Sequence, residues 1–561
     1  MVSMLHSFFA AVPLAAIALS LALGYLFGKL KIGTFVLGPV AATLLVAIAL
    51  GQVGVKVSGD VKTLVFALFI YALGYMIGPQ FVGSLGRSTL KQVHLTVVST
   101  IVVVVTVWGL AKGFNLDKGT AAGVLAGGAT ESAVIGTASD ALAAQPLPKE
   151  EITRMQSNIG VTYAITYLFG TFTVIFFASS IAPKLLGIDL AKASREYERE
   201  LGGGQEQLPP GQFEALRKFD MRIYEIGAAS AGRSVRDLEA ELDGVVIESI
   251  VRGSELIRSA PEFVLRSGDR VATAGRREIV QKAAEKLGRE TTDASGFRMI
   301  AATRDVVLTN RKVAGQTIAE LAAKTDPQMR HGAFLRSLTR LGQPILIAPN
   351  TLLAVGDVVS VVGSPADVDR VSKEIGYPTP PEDKTDFLYF GLGLAVGFSI
   401  GLLGIPFAGT SLGLGTGGGC LIAGLVFGWL RARRPTFGQL PTAAAQYLKD
   451  FGLTVFVACI GLATGPEALH QILQHGVALV VAGFAVSIIP GLFALYYGKY
   501  VLKMHPVILC GALCGRQAST PALNAVTLAA GNNAPVLGYT VPYTVANVLL
   551  TLAGPVVVLL T

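Results

Sequence analysis

The sequence has few charged residues for its length. Only 15% of its 561 residues are Asp, Glu, Lys or Arg, whereas about 25% is usual in a soluble domain. Hydrophobic residues make up 52% of the chain, and the charged ones are concentrated between residues 190 and 385. The composition therefore argues against a soluble protein and predicts membrane spans on both sides of a polar central region.

The chain also lacks the residue patterns that metal and nucleotide chemistry need. The six histidines form no cluster with ligand spacing, and the four cysteines lie in apolar segments without a partner pair, so we interpret them as packing residues. No G-x-x-x-x-G-K-[ST] motif supports ATP-driven pumping. No basic run with interleaved aromatics accompanies the net charge of +8. We expect no cofactor, no metal and no nucleic-acid partner.

Sequence motifs of potassium channels, dinucleotide-binding proteins and hydrolases are absent or lie in the wrong structural context. The Thr-Val-Gly-Tyr-Gly sequence of a potassium filter does not occur. A G-x-G-x-x-G match at residues 413–418 and a nucleophile-elbow match at residues 409–413 lie in or beside an apolar segment with no preceding strand. No nucleophile–base pair accompanies them, so we do not predict an enzyme.

One apolar, Gly-rich motif occurs twice. Residues 123–136 read Gly-Val-Leu-Ala-Gly-Gly-Ala-Thr-Glu-Ser-Ala-Val-Ile-Gly, and residues 511–524 read Gly-Ala-Leu-Cys-Gly-Arg-Gln-Ala-Ser-Thr-Pro-Ala-Leu-Asn. We expect these residues to interrupt the helices: Gly127, Gly128, Gly515 and Pro521. Interrupted backbone survives at membrane depth only inside protein or beside a wet cavity. Each motif therefore predicts a re-entrant hairpin at a transporter's binding site.

The repeat extends beyond the motif into both ends of the chain. Gly78-Pro79 and Gly465-Pro466 occur in matching apolar segments, and a Gly-to-Tyr segment follows each motif, at residues 160–167 and 538–543. Each half offers six apolar segments, of which the motif is the hairpin, leaving about five crossings. An odd number of crossings makes the two repeats inverted and puts both termini on one side. The fold class predicted is thus a polytopic α-helical membrane protein with two inverted repeats.

Basic residues assign the sides of the membrane. Arg431, Arg433 and Lys499 fall in loops predicted to be cytoplasmic, and the external loops of the second half contain no Lys or Arg. Lys56 and Lys62 of the first half fall outside and oppose this trend. We expect the central region to be cytoplasmic and both termini to be periplasmic, with the N-terminal apolar segment as the first span because it lacks the basic flank of a signal peptide.

The central region has the composition of folded α+β domains. A Gly-, Pro- and Gln-rich linker precedes two copies of one strand and helix order. This divides the chain into five parts: a first transmembrane repeat (1–185), a linker (186–211), two α+β domains (212–292 and 293–380) and a second transmembrane repeat (381–561).

Arg516 and Glu131 are the strongest candidates for binding substrate. A charge inside a span is costly and is by default a functional residue. The guanidinium of Arg516 matches a carboxylate in a bidentate manner; the alternative is a structural Arg that pairs with Glu131 or reaches the interface. Glu131 either neutralises Arg516 in the empty site, binds an α-amino group or carries a proton, and the sequence does not choose.

Small polar residues of the two motifs complete the predicted pocket. They are Thr130, Ser132, Gln517, Ser519, Thr520 and Asn524. For any single hydroxyl, a hydrogen bond back to its own helix is equally compatible with the sequence.

The motifs and layout resemble the aspartate:alanine exchanger family of bacterial secondary transporters. The resemblance covers nearly the whole chain and rests on both Gly-rich motifs, the two Gly-Pro pairs and the long central insert. The insert resembles two tandem RCK C-terminal (TrkA-C) domains, with residues 232–238 and 315–321 as their first helix. The resemblance implies exchange of small amino acids or dicarboxylates across a bacterial inner membrane without ATP. It also implies a homodimer and a regulatory ligand of the insert.

We therefore predict a secondary antiporter in the lipid bilayer that exchanges small carboxylates, such as aspartate and alanine or a C4-dicarboxylate such as succinate. The substrate lies between the two hairpins, which move against the other spans in an elevator-type mechanism of alternating access. Two other functions stay open on the sequence alone: an ion channel gated by the RCK-like domains and an ion-coupled symporter.

Overall fold

The computed structural model contains two compact units, Met1–Tyr197 with Glu382–Thr561, and Glu198–Pro381. It describes residues 8–9, 11–32, 35–36, 38–55, 57–83, 89–202, 219–242, 244–297, 301–378, 384–407, 410–433 and 437–561. The end of the predicted linker (203–211) and the predicted boundary at residues 380 and 381 lie outside the described residues.

The first half of the membrane unit begins with two helices joined through a short β-hairpin. These elements are α1 (Pro13–Phe27), β1 (Lys31–Ile32), β2 (Phe35–Val36) and α2 (Pro39–Gly51). Proline starts both helices because its missing N–H is not needed in a first turn. The helices that follow are α3 (Gly59–Gly83), α4 (Leu90–Phe114), α5 (Lys118–Gly128), α6 (Ala133–Ala143), α7 (Lys149–Phe176), α8 (Ala182–Leu186) and α9 (Leu190–Glu200). A π-helical turn, Phe177–Ile181, joins α7 to α8.

The central unit contains two antiparallel sheets of five strands. The first domain consists of β3 (Phe219–Ile226), α10 (Val235–Glu241), β4 (Val245–Arg252), β5 (Glu255–Arg258), β6 (Arg270–Arg276), α11 (Arg277–Lys282), α12 (Ala284–Leu287) and β7 (Gly288–Thr291). The second consists of β8 (Ala302–Leu308), α13 (Ile318–Lys324), α14 (Pro327–Arg330), β9 (Ala333–Arg340), β10 (Gln343–Pro344), β11 (Val358–Gly363), α15 (Pro365–Ile375) and β12 (Gly376–Pro378).

Both central domains have the same strand order, which confirms the predicted α+β repeat. The orders are β5-β4-β6-β3-β7 and β10-β9-β11-β8-β12. In the second domain the sequence predicts strands at residues 333–341 and 344–347, and the structure has β9 at Ala333–Arg340 and β10 at Gln343–Pro344. The turn between them contains Leu341, with a φ of 52°, and after β10 the Ile345 amide still donates to the Leu338 carbonyl at 3.0 Å.

Each central domain contains a Gly-Asp pair, at residues 268–269 and 356–357, and its aspartate forms an ion pair with an arginine. Asp269 accepts two hydrogen bonds from Arg252, at 2.9 and 2.7 Å. Asp357 accepts two from Arg340, at 2.5 and 2.7 Å. In each domain the same arginine also donates to the backbone of the loop that precedes the strand, through Val264 or Leu352. The motif therefore stabilises the end of a strand.

The second half repeats the element order of the first. Its elements are α16 (Phe387–Gly401), β13 (Gly404–Phe407), β14 (Thr410–Gly413), α17 (Gly415–Arg433), α18 (Thr442–Tyr496), α19 (Pro506–Gly515), α20 (Thr520–Ala530) and α21 (Val536–Leu560). One difference is that α18 is continuous through residues 464–476, which the sequence predicts to be one of the external loops of the second half. After Pro466 that stretch consists mainly of helix-forming Glu, Ala, Leu, Gln and Ile.

Within the described residues, six helical segments are long and apolar enough to cross a membrane. They are Gly59–Val82, Leu90–Phe114, Lys149–Leu186, Thr442–Gly465, Gly476–Val501 and Val536–Leu560. Helices α1, α2 and α16 are apolar but shorter. The protein is thus a mostly helical, multi-pass membrane protein with a central α+β region, whereas the count of five crossings per half stays a prediction.

The membrane unit has its core where helices of the two halves pack together. Helix α3 packs against α17 and α18, and the rings of Phe66 and Phe456 stack with centroids 4.6 Å apart. Helix α4 packs against α21, and α7 packs against α18. Each half therefore completes the surroundings of the other.

Candidate functional site

The first motif folds into a helical hairpin against α7. Helix α5 runs parallel to α7, because Gly119 lies against Met155 and Gly127 lies against Thr166. Helix α6 runs back along α7: the Ser132 hydroxyl lies 2.7 Å from the Tyr163 hydroxyl, and Gln156 donates to the Ser139 carbonyl at 2.9 Å. The predicted hairpin is therefore present as a fold feature.

The second motif forms the same hairpin against α21. Gly511 packs on Pro535 and Gly515 packs on Tyr539, so α19 and α21 run in parallel. Helix α20 ends at Ala530, and α21 begins beside the start of α19 after only five connecting residues. The chain has thus turned back along α19. The hydroxyls of Thr520 and Tyr539 lie 3.0 Å apart, which repeats the contact between Ser132 and Tyr163.

The hairpin tips follow the glycines that were expected to form them. Gly128 and Gly515 are the last residues of α5 and α19, and the left-handed backbone belongs to Thr130 and Ala518, with φ of 55° and 49°. These two residues occupy the same place in the two motifs.

The predicted helix-breaking role of the glycines and of Pro521 is corrected accordingly. A Cβ at Gly127 would lie 2.0 Å from the Thr166 hydroxyl, and one at Gly515 would lie 2.4 Å from the Tyr539 carbonyl. The glycines therefore permit close packing. Pro521 lies in the first turn of α20, where it starts the helix instead of breaking it.

The two hairpin tips touch each other. The Thr130 hydroxyl donates to the Gln517 carbonyl at 2.5 Å, and the Gln517 amide donates to the Gly128 carbonyl at 2.7 Å. Two of the predicted site residues, far apart in sequence, are thereby brought together. Their neighbours in the chain are Glu131 and Arg516.

Arg516 is buried, with an exposed fraction of 2%. Its Nη2 donates to the Ser487 carbonyl at 3.3 Å and to Gln517 Oε1 at 3.2 Å, while its Nε is buried without a hydrogen-bond partner. No carboxylate among the described residues lies within ion-pair distance of it. The Arg516 guanidinium is therefore bonded to neutral acceptors only, and its Nε–H donor has no partner.

Glu131 is buried as well, with an exposed fraction of 4%. One carboxylate oxygen accepts a weak hydrogen bond from the Ala133 amide at 3.3 Å, at the start of α6, and the other has no partner. The alternative in which Arg516 pairs with Glu131 is not the arrangement seen. The two side chains lie on touching tips and do not pair with each other.

The remaining predicted residues fall into two groups. Ser132 and Thr520 bond to the tyrosines of α7 and α21, and Ser519 caps α20 by accepting from the Ala522 amide at 3.4 Å. Asn524 is exposed on α20, one turn beyond the tip, and the structure does not bring it to the cluster.

The structure adds Ser487, Tyr163 and Tyr539 to the site. Ser487 lies in the apolar second part of α18 and bonds to both tips. In the sequence, Ser487 is marked only as a single hydroxyl residue inside an apolar run. The tyrosines are marked by a pair spaced four residues apart after each motif, at residues 163 and 167 and at 539 and 543.

The site offers amide, hydroxyl and charged groups and no metal-binding cluster. Across the part of the chain that the structure describes, no group of three or more His, Cys, Asp or Glu residues is placed to hold a metal ion. Cys510 and Cys514 are buried in α19, where the Cys514 thiol bonds to the Cys510 carbonyl at 3.3 Å. The arrangement suits an anionic or zwitterionic small molecule.

Comparison with known proteins matches both parts of the chain. A model described as a predicted permease membrane region (Asp-Al_Ex) matches residues 16–183 and 389–559, and a TrkA-C domain model matches residues 221–288 and 303–376. No solved structure matches.

Three similar proteins are uncharacterized transporters. They come from Zymomonas mobilis (38% identical), Bradyrhizobium diazoefficiens (39%) and Francisella tularensis (36%), and the matches cover 97 to 98% of this chain and 97% of each relative. With the two-part membrane match and the paired TrkA-C domains, these similarities show that the chain belongs to the aspartate:alanine exchanger (Asp-Al_Ex) family of permeases.

Proposed function

We propose that the protein is a secondary antiporter that exchanges small carboxylates, either aspartate and alanine or a C4-dicarboxylate such as succinate, across the bacterial inner membrane. The observation that carries this proposal is Arg516, buried beside the touching hairpin tips with neutral partners only. A buried charge without a counter-charge is strongly unfavourable, by several kcal/mol, unless a ligand completes its environment. A substrate carboxylate supplies that counter-charge.

Glu131 gives the same site a group of opposite sign. Its unpartnered oxygen lies on the other tip, next to Thr130, whose hydroxyl reaches Gln517. An α-amino acid carries an ammonium group close to its carboxylate, and the two protein charges are complementary to it. A dicarboxylate without an amino group uses Arg516 and leaves Glu131 to bind a proton instead.

The relation between the two hairpins supports alternating access. The same element order occurs twice, and the tips of the two hairpins meet. This supports inverted repeats whose hairpins enter from opposite faces. The basic loops of the second half support central domains in the cytoplasm and both termini in the periplasm. The hairpin-bearing bundle moves as an elevator within a homodimer, and the TrkA-C domains respond to a regulatory ligand.

Counterflow in proteoliposomes tests this function. Vesicles are loaded with unlabelled L-aspartate, succinate or L-alanine, and uptake of each labelled compound is followed. Exchange predicts uptake only when an accepted substrate is present inside. Uptake into vesicles without internal substrate would indicate a uniporter or symporter instead, and ion current without any carboxylate flux would indicate a channel.

A further inference from the structure

Ser487 connects both hairpin tips to a helix outside the hairpins. It is buried, with an exposed fraction of 1%. Its hydroxyl lies 2.9 Å from the Gly128 carbonyl of the first hairpin and accepts from the Gln517 amide of the second at 2.7 Å. The same hydroxyl lies 3.3 Å from the Gly170 carbonyl of α7. One side chain thus bonds to three elements around the site.

These contacts determine the orientation of the Gln517 amide. An amide NH₂ has two donors, and at Gln517 they are directed to the Ser487 hydroxyl and the Gly128 carbonyl. The amide oxygen is then left facing Arg516, whose Nη2 donates to it at 3.2 Å. Arg516 also donates to the Ser487 carbonyl at 3.3 Å, so Ser487 holds the guanidinium both directly and through Gln517.

We propose that Ser487 is a positioning residue for substrate binding. It fixes the guanidinium of Arg516 before substrate arrives, through the hydroxyl–amide–guanidinium chain. A long arginine side chain that is already ordered loses less conformational entropy when it binds a carboxylate. This inference rests on the proposed function, because it concerns the same site.

The test compares Ser487→Ala and Ser487→Cys with wild type in counterflow of labelled L-aspartate, succinate and L-alanine. Ser20→Ala is the matched control, because Ser20 is also fully buried and its hydroxyl bonds only to its own helix, at the Ala16 carbonyl. Loss of one such hydrogen bond predicts a KM about fivefold higher in Ser487→Ala. The maximal rate should stay within about twofold, since the proposal assigns the hydroxyl to positioning of Arg516 and not to substrate contact. The weakly bonding thiol of Ser487→Cys should give an intermediate KM.

A double variant separates positioning from a merely structural role. If Ser487 acts through Gln517, Ser487→Ala combined with Gln517→Ala has the KM of Gln517→Ala alone. Additive effects of the two substitutions on the KM would overturn this inference. The same holds if Ser487→Ala leaves the KM unchanged while Arg516→Lys abolishes exchange. Either result would leave the proposed function intact. Exchange unaffected by Arg516→Lys would overturn both. If Ser487→Ala is not recovered as folded protein, Ser487→Cys and Gln517→Ala carry the comparison.

Discussion

Arg516 and Glu131 are buried on touching tips, yet neither has a partner of opposite charge among the described residues. A protein selected for stability alone would have paired these charges or replaced them. Their separation is the residue-scale evidence that a ligand with groups of both signs, or a carboxylate with a proton, completes the site.

The residue-scale account predicts the effect of Glu131→Gln. Charge-assisted hydrogen bonds contribute about 1.5–3 kcal/mol, so we expect the KM for L-aspartate and L-alanine to rise roughly 10-fold or more. Succinate, which has no amino group, should be affected much less. The KM ratio between L-aspartate and succinate, measured by counterflow, checks this. Equal effects on all three compounds would show that Glu131 does not bind the amino group.

A second residue-scale prediction concerns Asp357 in the central unit. Its side chain is fully buried and held by Arg340, so Asp357→Ala leaves a charged guanidinium without its partner. We expect the second central domain to lose about 3–5 kcal/mol of stability. Hydrogen exchange in the full chain should show faster exchange for β9 and β11. Asp305→Ala, on the neighbouring strand β8, is the control, and comparable exchange in the two variants would contradict the prediction.

At the scale of elements, the hairpin tips depend on two residues with left-handed backbone. Thr130 and Ala518 adopt this conformation without being glycine, at a cost of roughly 1–2 kcal/mol each. Ala518→Gly should therefore raise the melting temperature of the purified protein by a few degrees, whereas Ala518→Val should lower it, because a β-branched residue fits this region poorly. A lower melting temperature for Ala518→Gly than for wild type would show that the tip is not strained.

The elements were largely predictable from the sequence, but the tips were not. Apolar length and turn residues predicted the long helices and most central strands, because those signals are local. The Gly-rich motifs predicted two hairpins, yet Gly127 and Gly515 serve close packing, and the left-handed residue of each tip lies three positions later. Ser487 could not be assigned, because its role depends on contacts with residues 128 and 517, which only the fold brings to it.

The contact between the two central domains should respond to pH. His331 lies 3.1 Å from Glu239, in a cleft of about 1160 Å³ that also contains Glu248, Asp367 and Arg258. The hydrogen bond to Glu239 raises the pKa of His331 above its ordinary 6.5, despite partial burial. Burial, together with the negative charges of Asp367 and Glu239, raises the pKa of Glu248 to about 7.

Both shifts have the same sign for stability. The contribution of His331 is complete below its unfolded pKa and is lost as pH rises through its folded value. Glu248 keeps its proton more tightly in the folded protein than in the unfolded chain. The stability of the folded protein therefore falls as the pH rises from about 4.5, the ordinary pKa of Glu, to about 7. We therefore expect faster hydrogen exchange around residues 326–334 at pH 8 than at pH 6, after correction for intrinsic rates. His331→Gln should remove part of this difference, and an unchanged difference would contradict the assignment.

At the scale of the whole molecule, two helical halves complete each other around one polar cluster. Helices α5 and α6 of the first hairpin pack on α21, and α20 of the second packs on α7, so each hairpin contacts a helix of the other half. The family and the membrane architecture follow from the sequence and the comparisons. In the proposed function, Glu131 distinguishes an amino acid from a dicarboxylate, because only the amino acid carries an ammonium group.

The central claim is that Arg516 binds the substrate carboxylate, and Arg516→Lys tests it most directly. Lysine keeps the charge but loses the planar fork, so counterflow of every accepted carboxylate should fall at least 100-fold while the protein stays folded. Arg154 is exposed and serves as the control. The Arg154→Lys variant should exchange carboxylates at the wild-type rate. Wild-type counterflow in Arg516→Lys would contradict the account.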